Sequence, residues 1–244
     1  MVDIHSHILP NVDDGPTSWD VAEEMCRIAV EDGVQHMVAT PHSNDRYHYD
    51  REQLTETLEV LQKRIGNKLT LSLGCDFHLS YENVQDALEH PSRYVIGDTN
   101  YLLVELSNYS VPPSVSDSLM RLADRGLTPI LTHPERNPIL QGNLKRVLEW
   151  AAAGVVVQVT ASAFTGSWGE GVRRAALWLL ENNCVHVLAS DAHNIDRRPP
   201  GLSEARAAVA EIAGNDIAQA LVDDNPRAIV NGRELPYCPA VPSI

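Results

Sequence analysis

The residues best suited to chemistry in this sequence are histidines and carboxylates at the ends of short apolar runs. They are His5-Ser6-His7, Thr40-Pro41-His42, Asp76, Glu105, His133-Pro134-Glu135-Arg136 and Ser190-Asp191-Ala192-His193. Mixed imidazole and carboxylate donors suit Zn, Mn, Fe or Co better than Ca or Cu. Residues two apart on a strand point the same way. His5 and His7 are therefore expected to face one direction together, as are Asp191 and His193. The candidate ligands His5, His7, His42, Asp76, Glu105, His133, Asp191 and His193 exceed what one ion can use. Two or three divalent ions with a bridging carboxylate are implied. A single strand-end histidine is more often structural than ligating, so the weight lies in their number and shared placement. His36, His48, His90 and His186 receive no role; His36 and His186 fall at strand starts, the opposite end. His78 is left open.

Two arginines stand close to these residues in the chain. Arg136 lies three residues past His133, and Arg198 follows Asp191-Ala192-His193 by a short loop. Beside a metal cluster, arginines read as clamps for phosphate, which they bind bidentately. Asp13-Asp14-Gly15-Pro16 is a turn signal. Asp14 leaves the same face after the first strand and is a further candidate, as a ligand or an acid.

The elements that must position these residues form a repeating pattern. Seven runs read as strands by residue type and length: 2–7, 36–42, 69–78, 101–107, 128–135, 155–162 and 185–193. Several are apolar at consecutive positions, as in Val155-Val156-Val157, which marks strands buried on both faces of a parallel sheet. Helical spacing occupies 18–32, 53–65, 114–125, 143–153, 171–182, 203–213 and 216–222. The segments EDGVQHMVATPH, DRGLTPILTHPE and AAGVVVQVTASA repeat one plan: a helix end, a Gly, an apolar strand and a polar tip. ENNCVHVLASDAH follows it with Asn in place of Gly, and either residue serves a left-handed helix cap. Recurrent α–Gly–β units imply right-handed crossovers in one parallel sheet. We expect a single α/β domain over residues 1–244, a barrel with fewer strands than the usual eight. Active sites of parallel barrels lie at the C-terminal ends of the strands. Six of the seven runs end there in a candidate ligand; the sixth run ends in Thr160-Ala161-Ser162.

Bulk properties narrow the function. The formal net charge is −14, and the longest basic groupings are the pairs Arg173-Arg174 and Arg197-Arg198. Such a surface disfavours a general nucleic-acid binder. The four cysteines are far apart and form no disulfide framework, which fits a reducing compartment. The chain opens without a basic region followed by an apolar run, and no apolar stretch approaches a membrane span. A cytoplasmic protein with no membrane insertion is expected.

The motifs HSH at 5–7, VDDGP at 12–16, TPH at 40–42, VELS at 104–107, THPER at 132–136 and ASDAHN with RPP at 189–200 resemble the PHP (polymerase and histidinol phosphatase) superfamily. More narrowly, they resemble bacterial metal-dependent protein tyrosine phosphatases encoded with capsule and exopolysaccharide systems. The likeness runs from Asp3 to about Pro200, and DNPRAIV at Asp224–Val230 also fits. It implies a distorted (β/α)7, TIM-like barrel of the PHP fold. It implies three metals, commonly manganese, with Fe, Zn, Co or Mg as alternatives. The eight residues above would be the ligands, and Arg136 and Arg198 would bind phosphate. The family usually has Glu where this chain has Asp76, one methylene shorter, and His78 stands where a Tyr or another residue is expected. The implied substrate is phosphotyrosine on a bacterial tyrosine autokinase.

A cysteine phosphatase needs Cys-x5-Arg, and the residues six past the four cysteines are Asp32, Tyr81, Ser190 and Ile244. Phosphotyrosine hydrolysis must then be metal-driven, by activated water attacking phosphorus in line. Alternatives are a histidinol phosphatase or other small-ester PHP enzyme, a PHP nuclease, and a non-catalytic module that binds a phosphorylated partner.

Overall fold

The computed structural model describes residues 1–242. Nine strand segments form: β1 (Val2–Ser6), β2 (His36–Ala39), β3 (His42–Ser43), β4 (Thr70–Leu73), β5 (Asp76–His78), β6 (Tyr101–Glu105), β7 (Thr128–Thr132), β8 (Val156–Thr160) and β9 (Val187–Ala189). The helices that matter to the site are α1 (Trp19–Glu31), α2 (Arg51–Ile65), α3 (Tyr81–Glu89), α4 (Ser114–Asp124), α5 (Pro138–Gln141), α6 (Lys145–Ala152), α7 (Ala161–Phe164) and α8 (Glu170–Glu181). Among the described residues, no helix is long and apolar enough to cross a membrane.

All strand pairings are parallel, in two sheets ordered β1-β2-β4 and β3-β5-β6-β7-β8-β9. The runs expected as single strands at 36–42 and 69–78 are each broken in two. Pro41, which lacks an N–H, interrupts the first, and Gly74-Cys75 the second. Backbone bonds carry the ladder across both breaks: Gly74 N–H to Ala39 O at 2.8 Å and Asp76 N–H to Pro41 O at 3.1 Å. Past β9 the chain returns to β1, where Asp191 N–H donates to His5 O at 2.9 Å and His7 N–H to Ala192 O at 2.8 Å. Nine segments thus make the seven expected staves of a barrel. Four expected runs extend two or more residues past their strands: β6 stops at Glu105, β7 at Thr132, β8 at Thr160 and β9 at Ala189. Polar tips turn away from the ladder there. The expected left-handed caps are present, with φ of +91° at Gly33, +87° at Gly126, +97° at Gly154 and +53° at Asn183.

Two apolar layers hold the barrel. Val2, Ile4, Val38, Tyr101, Leu103, Ile130, Val156 and Val187 fill its interior. A larger cluster lies between strands and surrounding helices, including Met25, Leu61, Leu119, Val157 and Leu179. Period-two alternation lifts the interior positions of β6, β7 and β8 from apolar to polar: Leu103 to Glu105, Ile130 to Thr132, Val156 to Gln158. The apolar plug therefore ends in a polar floor at the C-terminal mouth.

Candidate metal centre

The mouth gathers the strand-end residues by three different local devices. The register of β1 against β2 breaks between Asp3 and Ser6. Strict alternation from Val2 and Ile4 would turn His5 outward. The irregularity resets that parity, as bulges do, and His5 reaches Gln158 of β8 at 2.9 Å. Glu105 arrives by simple alternation along β6. His133 and Asp191 arrive through backbone strain. Among the described residues, four non-glycine residues have positive φ; two are asparagines, and the others are His133 at +36° and Asp191 at +52°. Such conformations cost on the order of 1–3 kcal/mol and persist where surrounding bonds enforce them. Here His133 N–H is held by Gln158 O at 2.9 Å and Asp191 N–H by His5 O at 2.9 Å.

The donor atoms converge. Asp191 Oδ1 lies 3.4 Å from both His5 Nε2 and His7 Nε2. Asp76 Oδ2 lies 3.5 Å from His5 Nε2 and 3.2 Å from His42 Nδ1. Glu105 is 3.8 Å from His42 and 3.9 Å from His133. Asp14 Oδ1 is 3.3 Å from His193 Nε2 and 3.5 Å from His42 Nε2. Four groups of possible ligands result: His7-Asp14-His42-His193, His5-His7-Asp76, His5-His133-Asp191 and His42-Asp76-Glu105. Two donors each about 2.1 Å from one ion, at tetrahedral to octahedral angles, sit about 3.0–3.4 Å apart. The observed spacings approach that figure. The shorter Asp76 side chain still reaches both His5 and His42.

Hydrogen bonding supports the same fit. His5 Nε2, His7 Nε2, His42 Nδ1, Asp76 Oδ2 and Asp191 Oδ1 are buried with no hydrogen-bond partner among the described residues. Buried polar atoms without partners are costly, and divalent cations are the partners this donor set suits. The far nitrogens of the rings are tied down. His5 Nδ1 meets Gln158 Oε1 at 2.9 Å, His7 Nδ1 meets Asp13 Oδ2 at 2.6 Å, and His193 Nδ1 meets Asp191 O at 2.9 Å. Donation from Nδ1 leaves the Nε2 lone pair for a metal.

The electrostatics follow from crowding. Burial works against a charged His7, but the Asp13 carboxylate outweighs it and lifts the ring to about 9. Burial is likewise outweighed at His42 by Asp14 and Asp76, which lift it to about 11. Burial opposes ionisation of Asp191, yet Arg136 and His5 hold it well below the usual carboxylate range. Burial, with Arg136 adding to it, pushes His133 well below the usual imidazole range. Asp14 is partly exposed, and despite the burial it has, His193 and His42 hold it below the usual range. A carboxylate held in that form suits a ligand.

All eight expected ligands and Asp14 meet in this cluster, and both arginines border it. Arg136 Nη1 and Arg198 Nη2 each donate to Asp191 Oδ2 at 2.5 Å. A cavity of about 320 Å³ holds Arg136, Arg198, Trp168 and Asn108 above the ligands. The histidines given no role stay apart: His36 meets Ser72, and His186 accepts from Val157 N–H. His78 lies at the rim, 3.6 Å from Glu105. Asp13, a turn residue by its sequence context, is a further member of the site. Besides His7 it accepts from His42 N–H at 3.2 Å and Gly15 N–H at 3.0 Å. Gly15 is required there, since a Cβ would sit 2.5 Å from His7 O. Asp3 is another: buried beneath the site, it accepts from His5 N–H and Ser190 N–H and so ties β1 to the chain after β9. The sixth stave was read as empty of ligands, yet it supplies Gln158 to His5.

A seven-stave parallel barrel with histidines, carboxylates and two arginines at its C-terminal mouth defines a protein of the polymerase and histidinol phosphatase type. Within that class, the chain belongs to the CpsB/CapC family of capsular polysaccharide synthesis, whose pattern matches residues 1–231. It is 35% identical over 205 residues to the CapC protein of Staphylococcus aureus, covering 82% of this chain and 79% of that one. It is 31% identical over 239 residues to the tyrosine-protein phosphatase CpsB of Streptococcus pneumoniae, covering 94% and 98%. A solved structure from work on YwqE of Bacillus subtilis and CpsB of Streptococcus pneumoniae, described as metal-dependent tyrosine phosphatases, superposes with a TM-score of 0.93. It has 28% identity and full coverage of both chains.

Proposed function

We propose that this chain is a metal-dependent tyrosine-protein phosphatase acting on a phosphotyrosine-bearing protein, a bacterial tyrosine autokinase of capsular or exopolysaccharide synthesis. The observation that carries this reading is the convergence of Arg136 and Arg198 on one cavity with the candidate ligands. His5, His7, His42, Asp76, Glu105, His133, Asp191 and His193 would hold two or three divalent ions, manganese foremost. Bound there, such ions supply Lewis acidity toward phosphoryl oxygens and a nucleophile at neutral pH. Arg136 spends one N–H on Asp191 Oδ2, and Arg198 Nη2 spends both of its own on Asp191, at Oδ2 and at the backbone O 3.0 Å away. Their remaining N–H groups are free to receive the equatorial oxygens as charge develops. A phenol has a parent pKa near about 10, so its departure needs little protonation, and no acid role is assigned to Asp14.

The reading of a protein substrate is supported by the space beside the site. The cavity shares Glu105 and Asn108 with a second one of about 360 Å³, lined by Arg46, His78, Ser107 and Tyr109. That continuation gives room for chain flanking a phosphotyrosine. All four cysteines are free, which supports a reducing, cytoplasmic setting.

The test is turnover of a phosphotyrosyl peptide and of histidinol phosphate by chelator-treated protein, before and after adding manganese, iron, zinc, cobalt or magnesium. Peptide turnover restored by metal is expected. Activity that survives excess chelator would sink the metal assignment. Preference for histidinol phosphate would replace the protein substrate with a small ester. Phosphopeptide binding without turnover under every metal would identify a binding module.

A further inference from the structure

Trp168 stands where the two arginines of the site meet. The guanidinium carbon of Arg136 lies 4.2 Å from the centre of its ring, and that of Arg198 5.2 Å. The indole N–H donates to Ser162 Oγ at 2.9 Å, which fixes the plane of the ring. Ser162 belongs to α7, directly after β8. Trp168 itself lies in the loop between α7 and α8, flanked by Gly166 at φ +86° and Gly169 at φ +84°. That loop braces itself: Ser167 N–H donates to Ser162 O at 3.2 Å and Gly169 N–H to Gly166 O at 3.0 Å. The indole is shared by two cavities, the metal-side one and another of about 290 Å³ that contains Ser162 and Arg197, so it is the wall between them.

The arginines need such a wall. Both donate to the same carboxylate oxygen, Asp191 Oδ2, so two positive groups are crowded at one point. Mutual repulsion favours splaying one of them outward. An aromatic face attracts guanidinium groups and stacks against them flat, which opposes that splaying and orients the planes of both.

We propose that Trp168 is a positioning residue for phosphate recognition: its indole holds Arg136 and Arg198 together so that their free N–H groups converge on one phosphoryl group. The proposal rests on the phosphatase reading. It also gives the β8 stave, which ends in no ligand, a second part in the site beyond Gln158.

The experiment compares Trp168→Ala, Trp168→Leu and Trp168→Phe in the metal-loaded protein. The Leu variant keeps bulk without an aromatic face, and the Phe variant keeps the face. The probes are inorganic phosphate, followed by calorimetry and as a competitive inhibitor, and one aryl and one alkyl phosphate ester as substrates. Metal content should be unchanged. Inorganic phosphate should bind about tenfold more weakly to the Ala and Leu variants, with KM raised alike on both esters and kcat changed less. The Phe variant should recover most of the loss. In an Arg136→Ala, Arg198→Ala background, Trp168→Leu should have almost no further effect on phosphate binding.

Unchanged phosphate affinity in the Leu variant would overturn the proposal. An effect confined to the aryl ester would overturn it too, because the indole would then be stacking on substrate. So would a full effect in the arginine-free background. Failure of the wild-type protein to bind inorganic phosphate or turn over either ester would instead overturn the phosphatase reading on which the proposal stands.

Discussion

Asp13→Leu should weaken metal binding at high pH and have much less effect at neutral pH, because the substitution removes two opposing influences at once. Asp13 Oδ2 accepts from His7 Nδ1 at 2.6 Å while Oδ1 accepts from Gly15 N–H at 3.0 Å. A Leu side chain of similar size has no acceptor, so His7 Nδ1 loses the partner that fixes its ring and its tautomer, along with Gly15 N–H and His42 N–H. Loss of such an orienting partner costs about 10–100-fold in metal affinity. The opposing influence is proton competition. Asp13 is the main reason, against burial, that His7 is lifted to about 9. At pH 7 a metal must displace that proton, a handicap of about two pH units or about 100-fold. The Leu variant loses the carboxylate and most of that handicap. The two effects therefore nearly cancel at pH 7. At about pH 9.5 the wild-type ring is mostly neutral and only the orientation loss of about 10–100-fold remains. The assay is competition with a chromophoric chelator for manganese at both pH values in oxygen-free buffer. Calorimetry in buffers of differing ionisation enthalpy then counts protons released. One fewer proton is expected from the variant at pH 7. Equal affinities at high pH would refute the orienting role, and equal proton release would refute the competition.

Two other perturbations test separate parts of the structure. Glu135 is fully buried, and burial lifts its carboxyl to about 7 from 4.5 despite Arg136 nearby. A folded-state pKa raised in an acid means stability lost as pH climbs from the unfolded value to the folded one. Glu135→Gln keeps the acceptor for Thr160 N–H, now at 2.9 Å. It should gain stability on the order of 3 kcal/mol above pH 7 and little near pH 4.5. Denaturant midpoints at pH 5 and 8 check this, and a pH-independent difference would contradict it. Alkylation supplies the second test. Cys26, Cys75 and Cys184 are buried and Cys238 is exposed, and none is followed by the arginine of a cysteine phosphatase. Iodoacetamide on folded protein should label Cys238 and leave phosphatase activity within about twofold, since surface changes away from a site are usually small. Loss of activity in step with labelling would reopen a thiol mechanism.

The ligands were legible in the sequence because few residue types bind divalent cations and because α–Gly–β repeats locate strand ends. The reasons they meet were less legible. Pairing His5 with His7 by strand period reached the right result through the wrong device: the register break between Asp3 and Ser6 is what turns His5 inward. Pairing Asp191 with His193 likewise reached the right result through the wrong device, because β9 ends at Ala189 and Asp191 sits at φ +52°. Nothing local in Ala189-Ser190-Asp191 announces a left-handed residue. The conformation is imposed by His5 O across the barrel closure, a contact between the first and last staves.

The same distinction separates ligands from the residues that aim them. Asp13, Gln158 and Trp168 have ordinary identities at ordinary positions: a turn, a strand interior and a loop. Each matters only through one partner far along the chain or around a bend, Gln158 being 153 residues from His5. Yet these contacts decide what the ligands can do. His5 with its proton on Nδ1 can bind a cation through Nε2; the other tautomer cannot. The structure enforces that choice with an amide at His5, a carboxylate at His7 and a backbone carbonyl at His193. The carboxylate also raises the proton's hold on its ring, while a neutral amide or carbonyl does so far less. His7 is thus the histidine of the three whose orienting partner also governs its proton. Replacing Gln158 with Leu should therefore weaken metal binding about equally at pH 7 and 9.5, in contrast to Asp13→Leu. A Gln158→Leu variant whose deficit grows steeply with pH would show that the amide, too, governs a proton and not only an orientation.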